Sequence, residues 1–309
     1  MNHYALAIHG GAGLIRRNSL SPGREAACRA SLMAIAALGR DMLAGGASAL
    51  DTVEACVVAL EEDPLFNAGR GAVFAANGTI ELDAAIMDGR DRSAGAVAMV
   101  RTIRNPIRAA RAVMTRCPHV MMVGPGAEDL AAEAGLETVQ ASWFETEERR
   151  AQLLRIQGGD GEVPDSEKLD VYGTVGAVAC DSDRNLAAAS STGGMVNKRN
   201  GRIGDTPIIG AGTFAWNHTV AAAGTGHGEP FIRLGACGRV SSLVELGGMA
   251  VGEAAEQVVR DLGGLDGKGG IIAVDGSWNI AVSFNAAGMF RAVVSHDRAI
   301  EVAIWDVED

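Results

Sequence analysis

Aromatic residues are scarce in this chain. Trp, Tyr and Phe make up 4% of its 309 residues, whereas 41 are Gly. A core built from such a sequence must be Ala, Val, Ile, Leu and Met packed around small residues, and the 48% hydrophobic fraction supplies enough of them. Blocks of Lys or Arg are missing too, and the formal net charge is −11, which argues against nucleic acid or an anionic membrane as partner. The five cysteines, Cys28, Cys56, Cys117, Cys180 and Cys237, show no CxxC pair and no Cys/His ligand spacing. Zinc is therefore not indicated, and reduced, mostly buried thiols are expected. No apolar run reaches membrane-spanning length. The first residues, "MNHYALAIHGGAG", lack the basic and long apolar regions of a signal peptide, so a cytoplasmic protein is expected.

The segments that are present alternate between groups of strands and groups of helices. "YALAIHGGAG" reads as a buried strand running into a Gly-rich turn. Helical periodicity follows over 21–46 and 48–63, the second with Ser48 as N-cap and Asp51 three residues on. Strands are expected over 79–89 and 93–102, a helix starting with Pro106, a short strand at "HVMMVG" and a helix at "PGAEDLAAEAG". From about 145 to 173 the chain turns charged and loses apolar periodicity after a helical beginning, as a mobile linker does. Strands then resume at "TVGAVACD", "NLAAASST", "GTFAWN" and "TVAAAGTG". Helices are expected over 230–246 and 251–264, and four strands close the chain. Grouping of this kind predicts helices layered on sheets rather than regular βαβ alternation.

Four stretches carry candidate chemistry. The turn "HGGAG" has the wrong glycine spacing for a dinucleotide fingerprint, so tight backbone packing is its better explanation. "STGGMVNKRNGRIGDTP" combines Thr192, Lys198, Arg199, Arg202 and Asp205 with bending glycines. It is either a solvated loop or a loop that grips a zwitterion, Arg202 taking a carboxylate and Asp205 an ammonium group. "GTGHGE" is either a plain strand-to-helix turn or a set of donors for an oxyanion, and His227 within it has no Ser or Cys elbow to serve. In "DVYGTVGAVAC", Thr174 either starts a strand or becomes a new N-terminus. If the Gly173–Thr174 bond is cut, the residue carries an α-amine that titrates near ~8 beside its own hydroxyl, nucleophile and base in one. Gly173 leaves its carbonyl unhindered, and β-branching restricts the Thr174 rotamer.

Taken in order, "AIHGGAG", "LEEDPLFNAGRGAVF", "ELDAAIMDG", "YGTVGAVACD", "AAASSTGGMVNKRNGRIGDTPIIGAG" and "GTGHGEPFIR" resemble the plant-type asparaginases over nearly the whole chain. These are also called isoaspartyl (β-aspartyl) peptidases and are N-terminal-nucleophile hydrolases. The resemblance implies an α+β fold, a four-layer αββα sandwich. It implies one domain made as a precursor and cut into an α subunit (1–173) and a β subunit (174–309), assembled as a dimer of αβ pairs. It implies Thr174 as nucleophile and Thr192 as the hydroxyl bonded to it. Arg202 and Asp205 become the substrate anchors, Thr225 and Gly226 the oxyanion donors, Gly228 a contact near the substrate amine, and Asn67 an active-site residue. The loop from Leu60 to about Val73, with Leu60, Glu61, Phe66, Asn67, Ala68 and Arg70, resembles a sodium-binding loop. No cofactor for catalysis is implied, and the implied substrates are L-asparagine and β-aspartyl dipeptides. The competing readings are a glycosylasparaginase-like amide hydrolase and a non-catalytic protein that binds asparagine or aspartate.

Overall fold

The computed structural model describes residues 2–158 and 173–306. The polar stretch after Gly158, up to and including Tyr172, lies outside them. The described strands form two sheets. In chain order they are β1 (Ala5–Gly13), β2 (Leu82–Asp88), β3 (Ala94–Val100), β4 (Met121–Val123), β5 (Val175–Cys180), β6 (Leu186–Thr192), β7 (Thr213–Ala215), β8 (Val220–Gly226), β9 (Gly269–Asp275), β10 (Ile280–Phe284), β11 (Gly288–Ser295) and β12 (Arg298–Ala303). The larger sheet has the order β12-β11-β1-β5-β6-β2-β3-β4 and the smaller β10-β9-β8-β7. Every neighbouring pair is antiparallel except β3 and β4. The helices are α1 (Pro22–Ala44), α2 (Ala49–Glu62), α3 (Pro106–Arg116), α4 (Gly124–Glu133), α5 (Glu147–Gln157), α6 (Gly228–Leu234), α7 (Ala236–Gly247) and α8 (Val251–Gly263).

Strand alternation sorts the apolar residues into three cores. Leu6 and Ile8 of β1 and Ala177 of β5 face one way, against Leu32 and Ile35 of α1 and Val53 and Val57 of α2. Ala5 and Ala7, Val178 and Ala188 face the other way, against Ala221, Ala223, Ile272 and Val274 of the smaller sheet. The far side of that sheet, with Val220, Ala222 and Ile271, packs on Phe231, Val240, Val258 and Leu262 of α6–α8. The middle core is mostly Ala and Val, as a sequence short of aromatics requires.

Local signals explain most element ends. Ser48 accepts the Asp51 amide at 3.1 Å and caps α2, and Pro106 opens α3. Two expectations need correction. The "HGGAG" glycines do not end the first strand: β1 continues through them to Gly13, absorbing a bulge between His9 and Gly11. The single helix expected over 230–246 is two helices, α6 and α7, because Gly235 sits in the left-handed region at φ 62°. The helical beginning expected of the stretch from about 145 is α5, which runs through Gln157 and is capped by Thr146 accepting the Arg149 amide; the rest of that stretch, to Tyr172, lies outside the described residues.

Candidate active site

Thr174 immediately precedes β5, the strand between β1 and β6. The β5–β6 register pairs Val175 with Ser191, so Thr174 falls opposite Thr192, and Thr192 is in turn paired with Asp83 of β2. All three are buried, at the same end of adjacent strands. The Thr174 hydroxyl lies 2.9 Å from that of Thr206. Thr192 is the expected partner, but its Oγ1 accepts the Gly194 amide at 3.0 Å. Thr206 escapes sequence reading because it belongs to an irregular loop, where no periodicity marks a residue as inward-facing. Its place beside Asp205 in "GDTP" is the one available hint.

Gly173 is wedged between two segments. A Cβ added to it would lie 2.5 Å from Oγ1 of Thr225, and one added to Gly11 would lie 2.6 Å from the Gly173 nitrogen. Gly11 also has φ +117°, which only glycine adopts without strain. Close packing is thus what "HGGAG" is for. The Thr225 hydroxyl is fully buried and has no hydrogen-bond partner among the described residues. Such a group carries a desolvation cost that a fold retains only where something else uses it. Gly226 follows at φ +135°, against the backbone of Lys268 and Gly269.

Arg202 and Asp205, the residues expected to grip a zwitterion, come together beside Gly228. Arg202 gives Nε and Nη2 to the Glu229 carboxylate at 3.0 and 2.9 Å. Asp205 is buried with Oδ2 unpaired among the described residues, and burial pushes its carboxyl up to about 7, with Arg202 opposing. Gly228 adjoins both: a Cβ there would lie 2.8 Å from Asp205 Oδ1 and 3.1 Å from Arg202 Nη2. His227 meets Glu229 at 3.3 Å, so the group it faces is a carboxylate and not a hydroxyl nucleophile. Asn67 clamps the neighbouring loop. Its Nδ2 donates to the Gly194 carbonyl at 2.7 Å, and its Oδ1 accepts the Val73 amide at 3.0 Å.

Two buried titratable groups near the site, His9 and Lys198, were given no role of their own in the sequence, although Lys198 stood out in its polar stretch. His9 is fully buried, and burial pushes its imidazole down to about 3 against the opposing Thr174 backbone, so the ring is neutral. Lys198 is buried with its Nζ donating to the Glu81 carbonyl at 3.2 Å. Burial lowers its ammonium pKa while Asp83 and Glu81 oppose the shift. Asp83, raised by burial, accepts the Met99 amide at 2.9 Å. In the sequence these are scattered polar residues; only the pairing of β2 with β6 brings Asp83 to Thr192.

Between Leu60 and Val73, the first residues of which close α2, the backbone packs tightly on itself. A Cβ on Gly69 would lie 2.5 Å from the Glu61 carbonyl oxygen, which accepts the Arg70 amide at 2.7 Å, and one on Gly71 would lie 2.6 Å from that of Pro64 and 2.9 Å from that of Phe66. Arg149 of α5 is buried and ties the loop down, Nε donating to the Gly71 carbonyl at 2.8 Å.

A buried hydroxyl behind a glycine, a second hydroxyl with no partner among the described residues, and an arginine near an aspartate lie together where the two sheets face each other, an arrangement that suits amide hydrolysis. The chain belongs to the asparaginase family, whose sequence model matches residues 2–304. It is 49% identical over 298 residues to an isoaspartyl peptidase of Escherichia coli strain K12, covering 94% of this chain and 93% of that protein. It is 38% identical over 330 residues to a probable isoaspartyl peptidase/L-asparaginase 2 of Arabidopsis thaliana, covering 99% of this chain and 100% of that protein. An isoaspartyl peptidase/L-asparaginase of Rattus norvegicus is 40% identical over 297 residues, with 95% and 86% covered.

Proposed function

We propose that this protein is an isoaspartyl peptidase/L-asparaginase that creates its own catalyst by cleavage before Thr174. The observation that carries the reading is the close packing of Gly173 on the Thr225 hydroxyl, which has no partner among the described residues, beside the buried Thr174 hydroxyl. In the first stage the Thr174 Oγ attacks the Gly173 carbonyl carbon, the peptide nitrogen leaves as the α-amine, and water hydrolyses the resulting ester. Before that step the nitrogen is an amide and cannot act as a base. Afterwards it accepts the Thr174 hydroxyl proton as Oγ attacks the β-carbonyl carbon of the substrate. Thr225 and Gly226 donate to the oxyanion. The protonated amine passes its proton to the leaving nitrogen, ammonia from L-asparagine or the amine of the second residue from a β-aspartyl dipeptide. Water then cleaves the acyl-enzyme, releasing L-aspartate and regenerating Thr174.

Arg202 and Asp205 hold the α-carboxylate and α-ammonium groups shared by both substrates, with Gly228 beside the ammonium and Thr192 and Asn67 supporting the pocket wall. The three cores support a four-layer αββα arrangement of the N-terminal-nucleophile type, one domain divided by cleavage into 1–173 and 174–309 and assembled as a dimer of αβ pairs. A sodium ion held by carbonyls of the loop containing Leu60, Glu61, Phe66, Asn67, Ala68 and Arg70 supplies rigidity and no chemistry. The test is direct. Purified protein is incubated and its fragments weighed by mass spectrometry, then assayed on L-asparagine and β-aspartyl dipeptides. A fragment beginning at Thr174 with matching turnover is expected; an uncut chain that turns over either substrate overturns the reading.

A further inference from the structure

We propose that Glu229 is the positioning residue that aims Arg202 at the substrate carboxylate; this rests on Arg202 being the carboxylate anchor. A guanidinium group offers two edges for bidentate binding, Nε with Nη2 and Nη1 with Nη2. Glu229 occupies the first, at 3.0 and 2.9 Å. It does so from the outer side, since its side chain is 48% exposed while that of Arg202 is 17% exposed. The second edge faces a region bordered by three glycines and by Lys198, whose Nζ would lie 3.1 Å from a Cβ added to Gly194. A Cβ on Gly204 would lie 3.0 Å from Nη1, one on Gly194 3.5 Å from Nη1, and one on Gly228 3.1 Å from Nη2. The Asp205 carboxylate borders the same space, 2.8 Å from that added Gly228 Cβ.

The consequence is geometric. An arginine left alone samples many rotamers, and ordering it on binding costs affinity. Held along one edge by a carboxylate, it presents the other edge in a fixed direction. Glu229 also places a negative charge behind the guanidinium, so the pair accepts the zwitterionic head of an α-amino acid without burying a lone cation. Glu229 touches no reacting atom in this scheme. Its removal therefore weakens binding and leaves the chemical step alone.

The experiment uses the processed protein and the variants Glu229→Gln, Glu229→Asp, Arg202→Ala and the double variant Arg202→Ala/Glu229→Gln, with KM and kcat for L-asparagine measured separately. Glu229→Gln is expected to raise KM by roughly 10-fold, the scale of a lost charged hydrogen bond, with kcat within about 3-fold of the parent. Glu229→Asp should recover part of the loss, and the double variant should be no worse than Arg202→Ala. Fragment pattern and Tm confirm that each variant is folded and cut. If Arg202→Ala raises KM while Glu229→Gln leaves or lowers it, the positioning role falls and the anchor stands. Additive losses in the double variant overturn it likewise. If Arg202→Ala itself leaves KM unchanged, the anchor falls and this inference with it.

Discussion

Thr206 is the residue that most directly touches the proposed nucleophile. With its Oγ1 2.9 Å from Thr174 Oγ1, it holds the attacking hydroxyl in place in the single chain. Thr206→Val keeps the shape and removes the bond, and it should slow cleavage by about 10-fold or more, within the range of lost proton-handling groups. A time course of fragment appearance checks this. Thr174→Ala should remain uncut indefinitely. Asp205 makes a second prediction. Burial raises its carboxyl to about 7, far above the ~3.9 of an unfolded Asp. The native state thus prefers the protonated form, and ionisation destabilises the fold as pH rises from about 4 towards 7. Substrate needs the ionised form, so KM should fall as pH rises through about 7. Asp205→Asn should accordingly raise Tm at pH 8 while raising KM at least ~10-fold. Thermal melts and a pH series of KM measure the two effects, and a lower Tm would contradict the linkage.

At the scale of elements, the site depends on backbones approaching where side chains would collide. Gly173→Ala puts a methyl group 2.5 Å from the Thr225 hydroxyl. The chain end must shift, at a cost of about 1–3 kcal/mol, and cleavage should slow markedly; Tm and fragment yield report both. The Leu60–Val73 loop, packed closely around Gly69 and Gly71, is the other such element. Replacing sodium with choline at constant ionic strength should lower the Tm of the processed protein if the loop holds the cation, since binding to the native state alone stabilises it by mass action. An unchanged Tm across that exchange would remove the ion. Arg149, buried in α5 and bonded to the Gly71 carbonyl, links the last described helix before the cleavage point to this loop.

Across the whole molecule, β5 lies in the middle of the larger sheet, between β1 and β6. Cleavage before Thr174 would therefore leave the two parts joined by the β1–β11, β1–β5 and β2–β6 ladders and by the apolar contacts around them. They should co-elute on gel filtration in native buffer and separate only in denaturant. Fragments that separate without denaturant would contradict this sheet order. No described helix is long and apolar enough to cross a membrane.

Periodicity and turn chemistry are local properties, and they suffice for most elements here: α2 with its Ser48 cap, α3 with Pro106 at its start, and the apolar strands around Thr174. The one missed break, Gly235, was hidden because a left-handed glycine leaves no trace in the apolar pattern on either side. For the site, "GRIGD" and "GTGHG" were legible as chemistry because glycine and charged residues cluster there, and the family resemblance ordered them. Thr206, His9, Asp83 and Glu229 were not legible. Each matters only through a neighbour distant in sequence, and strand register, loop path and burial decide which neighbour that is. Short-range sterics and hydrophobic pattern specify most of the elements, the small-residue cores and the Gly-Thr junction, and so they can be read along the chain. That Thr174 meets Thr206, that Gly173 packs on Thr225 and that Glu229 takes one edge of Arg202 depends on long-range packing, because each contact joins segments distant in the chain.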